Sequence, residues 1–151
     1  MKDIEQILYR YGDLKELAVQ CEERVREIIG KKIALLDSML RPPVMDDVKI
    51  QSGGAADPVI DAVHQLVDVY DEEIKREAYN LRMYSEEQER IRRRIEAAAL
   101  TKREDEYLEM RYVERMSNRM IAKEMGYEER NAYKIRMRVL QKIGKAAKHA
   151  G

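Results

Sequence analysis

The sequence predicts an all-α protein: a long helical hairpin of coiled-coil type, followed by a small helix-turn-helix domain. Three observations carry this. Charged residues make up 38% of the 151 residues and aromatics 6%, with no Trp, no Phe and three Pro, a composition that favours helices over sheets. Apolar residues recur at alternating steps of three and four over two long stretches, the spacing of a helix that buries a narrow seam against another helix. The charge also changes sign along the chain. Residues 1–100 carry 16 basic against 21 acidic groups, net −5, whereas residues 101–151 carry 13 against 8, net +5. Opposed halves suggest divided labour: an acidic scaffold and a basic module drawn to a polyanion.

The first seam runs through Ile4, Ile7, Tyr11, Leu14, Ala18, Cys21, Val25, Ile28, Leu35 and Met39, and only Lys32 breaks the series. Gly12 and Gly30 are expected to weaken this helix locally. Pro42 and Pro43 end it, and Ser52, Gly53 and Gly54 give the following segment freedom to turn, so residues 41–57 read as a linker. Asp57 and Pro58 close the linker as an N-cap acceptor followed by proline at the first helical position.

A second helix starts there. Its seam is Ile60, Val63, Val67, Tyr70, Ile74, Leu81, Tyr84, Ile91, Ile95 and Ala98, interrupted by Glu77 and Gln88. At 1.5 Å per residue each long helix extends roughly 55 to 65 Å, and a single apolar stripe of that length must be buried against a partner. Similar lengths favour an antiparallel hairpin within one chain over an intermolecular coiled coil, with further self-association, a homodimer through the long helices, at one end. Polar Lys32, Glu77 and Gln88 could set the register of the pairing.

From Leu100 the long seam stops and three shorter helices follow. Thr101 and Glu104 form a capping box that opens a helix through "EDEYLEMRYVE". Ser117 caps a second helix, "NRMIAKEM", which ends at Gly126, the residue best able to take the left-handed conformation there. A third runs from about Glu129 to Lys148. The expected domains are therefore a scaffold over residues 1–99 and a helix-turn-helix DNA-binding domain over residues 100–151.

Two short helices joined by a turn with Gly, the second of them basic, describe a helix-turn-helix, whose second helix enters the DNA major groove. Ile121, Ala122 and Met125 would face Ala132, Ile135, Val139, Leu140 and Ile143, five residues that fall in one sector at 100° per residue. Opposite that sector lie Arg130, Asn131, Lys134, Met137, Arg138 and Gln141, with Tyr133 at its edge. Arg can bind guanine bidentately, Asn or Gln adenine, while Lys and the Tyr hydroxyl more often hold phosphate. Ser117 and Arg119 complete the candidate DNA-contact set. Arg136 falls on the inward side and is not counted as a reader. A solvated basic face is the bland alternative, and the adjoining turn weighs against it. Glu128 and Glu129 mark the helix start, where carboxylates suit the helix dipole but repel phosphate; a structural role outranks base reading for both.

The segment "LTKREDEYLEMRYVERMSNRMIAKEMGYEERNAYKIRMRVLQKI" resembles region 4 of sigma-70-type factors. Leu100-Thr101, Met110-Arg111-Tyr112, Ile121-Ala122 and Met125-Gly126 carry the likeness, over about a third of the chain. The whole arrangement, with its Ser52 to Pro58 linker, resembles small phage-encoded regulators of the ArpU and RinA type. The resemblance implies binding to promoter double-stranded DNA and contact with RNA polymerase. With no Trp or Phe and a coiled scaffold where a melting region would stand, autonomous promoter opening is not expected.

Other chemistry finds little footing. The N-terminus has no apolar run of signal or membrane length, so a cytoplasmic protein without membrane contact is expected. Cys21 is the one cysteine and reads as a small packing residue; with only His64 and His149 besides, no metal cluster assembles at sensible spacing. His64, beside a seam position, reads as structural. No glycine-rich phosphate loop or triad occurs, so no catalysis and no cofactor are expected. Two other functions compete with transcription regulation: a small terminase subunit recognising DNA for packaging, and a helical adaptor for RNA polymerase.

Overall fold

The computed structural model describes residues 2–40 and 58–150; the expected linker and the Asp57 cap lie outside the described residues. Helices and turns account for what is described, with no strand among the described residues. The elements are α1 (Lys2–Leu40), α2 (Pro58–Ala97), α3 (Lys102–Leu108), a π-helical turn (Glu109–Val113), α4 (Asn118–Met125) and α5 (Glu129–Ala150). Pro58 opens α2, the position where its missing N–H costs nothing. Among the described residues no helix is long and apolar enough to cross a membrane.

The chain divides into two compact units, Met1–Val19 with Arg82–Gly151, and Gln20–Leu81. A division at residues 99 and 100 is therefore not the one observed. The first turns of α1 and the last turns of α2 cluster with the C-terminal helices because they supply part of one core: Leu8, Tyr11 and Ile95 are buried together with Tyr107, Leu108, Tyr112, Ile121, Val139 and Leu140. Leu8 lies off the first seam and is fully buried.

In the unit Gln20–Leu81, Cys21 is a free, buried thiol, and Val25, Ile28, Lys32 and Leu35 are half-buried. Burial, with a hydrogen bond to Glu77, pushes the Cys21 thiol up. The polar breaks in the seams pair across it: Arg24 with Glu77 at 3.3 Å and Lys32 with Asp71 at 2.6 Å. Rising numbers on α1 thus meet falling numbers on α2 within this unit. His64 is exposed beside half-buried Val63.

In the other unit, Gly12 proves to be a necessity of close packing. A Cβ there would lie 2.1 Å from the Tyr112 carbonyl oxygen, so the α1 backbone approaches the π-helical turn as only glycine allows. Gly144 on α5 is likewise close to the Ile4 side chain, at 2.8 Å from an added Cβ. The expected continuous helix after Thr101 instead widens. The Glu114 N–H donates to the Glu109 carbonyl at 2.9 Å, a bond spanning five residues. Tyr107 and Tyr112, also five apart, are both fully buried, and regular α geometry would set them about 140° apart. The wider turn brings both inward, where Tyr107 donates to Asn118 Oδ1 and Tyr112 donates to Glu5 Oε1.

Candidate nucleic-acid interface

The candidate interface comprises α4, the turn after it, and α5. Ser117 stands extended before α4, and its Oγ accepts the Met120 N–H at 3.2 Å. Gly126 ends the helix at φ 71°, and the Tyr127 N–H closes the turn onto the Ala122 carbonyl at 2.8 Å. The Glu128 carbonyl then accepts from the Asn131 N–H at 2.9 Å, so Glu128 starts α5 through its main chain. Glu129 lies in the first turn, where its charge complements the dipole.

All five residues expected on the inner face of α5 are buried: Ala132, Ile135, Val139, Leu140 and Ile143. They pack with Ile121 and Ala122 of α4, which are buried too, and half-buried Met125 joins them. Arg130, Asn131, Tyr133, Lys134, Met137, Arg138 and Gln141 are all exposed. Tyr133 and Met137, one turn apart, leave apolar surface in water between Arg130, Lys134 and Arg138, and together with Glu129 these six line one shallow depression. Ser117 and Arg119 stand exposed at the start of α4, and no hydrogen bond among the described residues joins them to the α5 set.

Five of the seven cations of α5 fall into two groups. Among the described residues Arg130, Lys134 and Arg138 make no ion pair. Arg136 and Lys142, by contrast, are engaged inside the fold. Arg136 pairs with Glu5 of α1 at 2.9 Å, and Lys142 pairs with Glu104 of α3 at 2.5 Å. Glu104 is 2% exposed; its Oε1 also accepts the Thr101 N–H at 2.9 Å, completing the expected capping box. Burial alone would raise the Glu104 carboxyl, but the hydrogen bonds from Lys142 and Thr101 outweigh it and hold the group below the ordinary value of 4.5. Glu5 behaves alike: burial opposes ionisation, and hydrogen bonds from Arg136 and Tyr112 prevail.

One cationic residue escapes a reading of α5 alone. Arg103, exposed in the first turn of α3, lies over the Tyr127 ring at 4.8 Å and shares a cleft with Asn131 and Arg138. The signal in the sequence is its position: a helix start ordinarily prefers acids, and Arg103 there is out of place. No family model, curated protein or solved structure matches this chain.

Proposed function

We propose that this chain is a sequence-specific double-stranded-DNA-binding protein, a cytoplasmic regulator of phage or prophage transcription that acts on promoter DNA without catalysis or cofactor. The finer architecture belongs to the same proposal. In it α1 and α2 form a coiled-coil-like hairpin that serves as scaffold and contacts RNA polymerase or a second copy, and α4, the Gly126 turn and α5 form a helix-turn-helix of sigma region 4 type.

The observation that supports it most is the division of cations on α5. A helix needing only solubility has no reason to send Arg136 and Lys142 inward to carboxylates while leaving Arg130, Lys134 and Arg138 on one face around Tyr133 and Met137. Arg130 and Asn131, near the N-terminal end, take the base-reading role; Lys134, Arg138 and the Tyr133 hydroxyl hold phosphate. Arg103 adds a phosphate contact from α3 on the flank.

Selection of bound fragments from a pool of sheared phage and host DNA tests this. The expected result is enrichment of one promoter-borne motif, with Arg130→Ala and Asn131→Ala losing that enrichment. Uniform recovery of all fragments by the unaltered protein contradicts it.

A further inference from the structure

The exposed face of α5 carries one residue whose chemistry suits neither phosphate nor a polar base edge. Met137 is 38% exposed, whereas the large aliphatic residues of the same helix, Ile135, Val139, Leu140 and Ile143, are buried. Tyr133, one turn earlier and 48% exposed, can turn its hydroxyl to a phosphate. A thioether cannot: it donates no hydrogen bond and accepts only weakly. At 100° per residue Met137 falls between Tyr133 and Lys134, within about 45° of the direction opposite the buried residues. Its sulfur lies 3.9 Å from Arg136 Nη1, a weak contact that still leaves the side chain open to water.

The charges around Met137 indicate what covers it. Arg130, Lys134 and Arg138, which make no ion pair among the described residues, line the same depression with a single carboxylate, Glu129. A second copy of this chain brought to that face would set like charges against each other, whereas a polyanion matches them. The major-groove edges of duplex DNA present hydrogen-bonding atoms and one kind of apolar group, the C5-methyl of thymine. We propose that Met137 makes this chain selective for thymine, packing its thioether on the C5-methyl of one thymine in the bound DNA.

This role rests on the reading of α5 as the helix that lies against DNA, and it adds a base preference that Arg130 and Asn131 do not supply. Theirs are for guanine and adenine. Met137 follows Asn131 by six residues, about 9 Å along the helix axis and more than two base-pair steps of ~3.4 Å, so its thymine is not the partner of an adenine read by Asn131.

Deoxyuridine tests it, because it pairs as thymidine does and lacks only the methyl group. Binding of the full chain is measured on a synthetic duplex carrying the motif selected from sheared DNA, and on copies in which each thymine in turn is replaced by deoxyuridine. One replacement should weaken binding by the unaltered chain about fourfold, the worth of one buried methyl group at about 0.8 kcal/mol. The same replacement should leave the affinity of Met137→Ala unchanged, while Met137→Leu, which keeps an apolar side chain, stays sensitive to it. Both variants alter an exposed position and should keep the helical circular dichroism. Three results overturn the proposal: a selected motif without thymine, a motif in which no replacement lowers affinity, and a loss that Met137→Ala shows as fully as the unaltered chain. Where a motif is selected and binding falls steeply with salt, each of these leaves the DNA-binding reading standing. Uniform recovery of all fragments removes both.

Discussion

Glu5 and Arg136, 131 positions apart, meet in a two-point pair: Arg136 Nε donates to Glu5 Oε1 at 2.9 Å, and Arg136 Nη2 lies 2.9 Å from Glu5 Oε2. The Tyr112 hydroxyl donates to the same Oε1 at 2.8 Å. One carboxylate thus ties α1 to both α5 and the π-helical turn, and it takes Arg136 out of the set available to a polyanion. Glu5→Ala leaves the half-buried guanidinium and a buried hydroxyl unpaired, so the expected loss is about 2 kcal/mol of stability, read from urea denaturation. Arg136→Ala should cost a similar amount and leave the DNA affinity of the folded protein within a factor of about two.

Acid should unfold this part of the chain through the same contacts. Glu5 and Glu104 both ionise below the ordinary 4.5 in the folded state, because hydrogen bonds from Arg136 and Tyr112, and from Lys142 and Thr101, outweigh burial. A depressed carboxyl contributes stability that is present above its unfolded value and lost as pH falls through the folded one. Stability measured by denaturant should therefore be level above about pH 5 and fall below about pH 4.5, and Glu104→Gln should shallow that slope. An unchanged slope in Glu104→Gln counts against the assigned role.

Gly12→Ala should be among the most damaging small changes in the chain. Its Cβ would enter at 2.1 Å from a main-chain oxygen, and neither the α1 backbone nor the π-helical turn is a flexible side-chain end. The expected cost is about 3 kcal/mol or a displaced α1, visible as a lowered midpoint of thermal unfolding.

Ala99, after α2, sits at φ 51°, in the left-handed region. An L residue there costs about 1–2 kcal/mol, while glycine costs about 0.4–1 kcal/mol through the freer unfolded chain. The first effect is the larger, so Ala99→Gly should raise stability by about 0.5 kcal/mol, measurable by chemical denaturation.

How much of this can be read in advance depends on how local the cause is. The buried five on α5 are legible because a single rotation of 100° per residue separates them from Arg130, Lys134 and Arg138, and the Thr101–Glu104 capping box is legible because both its members lie within one turn. Leu8 is not legible: it lies off the 3–4 seam, and the surface that buries it comes from residues about a hundred positions further on. Gly12 invites a reading as a weak helical residue because its constraint comes from Tyr112, not from its own helix. Tyr107 and Tyr112 carry a usable signal in their spacing of five, which no regular α face accommodates when both are buried. Arg136 and Lys142 look like their neighbours in composition, and only the direction each faces separates an internal ion pair from a free cation.

The central claim is that the exposed face of α5 holds DNA. A salt titration of binding to a selected duplex tests it most directly, comparing the unaltered chain with Lys134→Ala and Arg136→Ala. Affinity should fall steeply as salt rises, and Lys134→Ala should weaken binding and flatten the log–log slope by about 1, one phosphate contact's worth, while Arg136→Ala leaves the slope as it was. Equal slopes and affinities for the unaltered chain and Lys134→Ala, with the fold of both intact by circular dichroism, contradict the account.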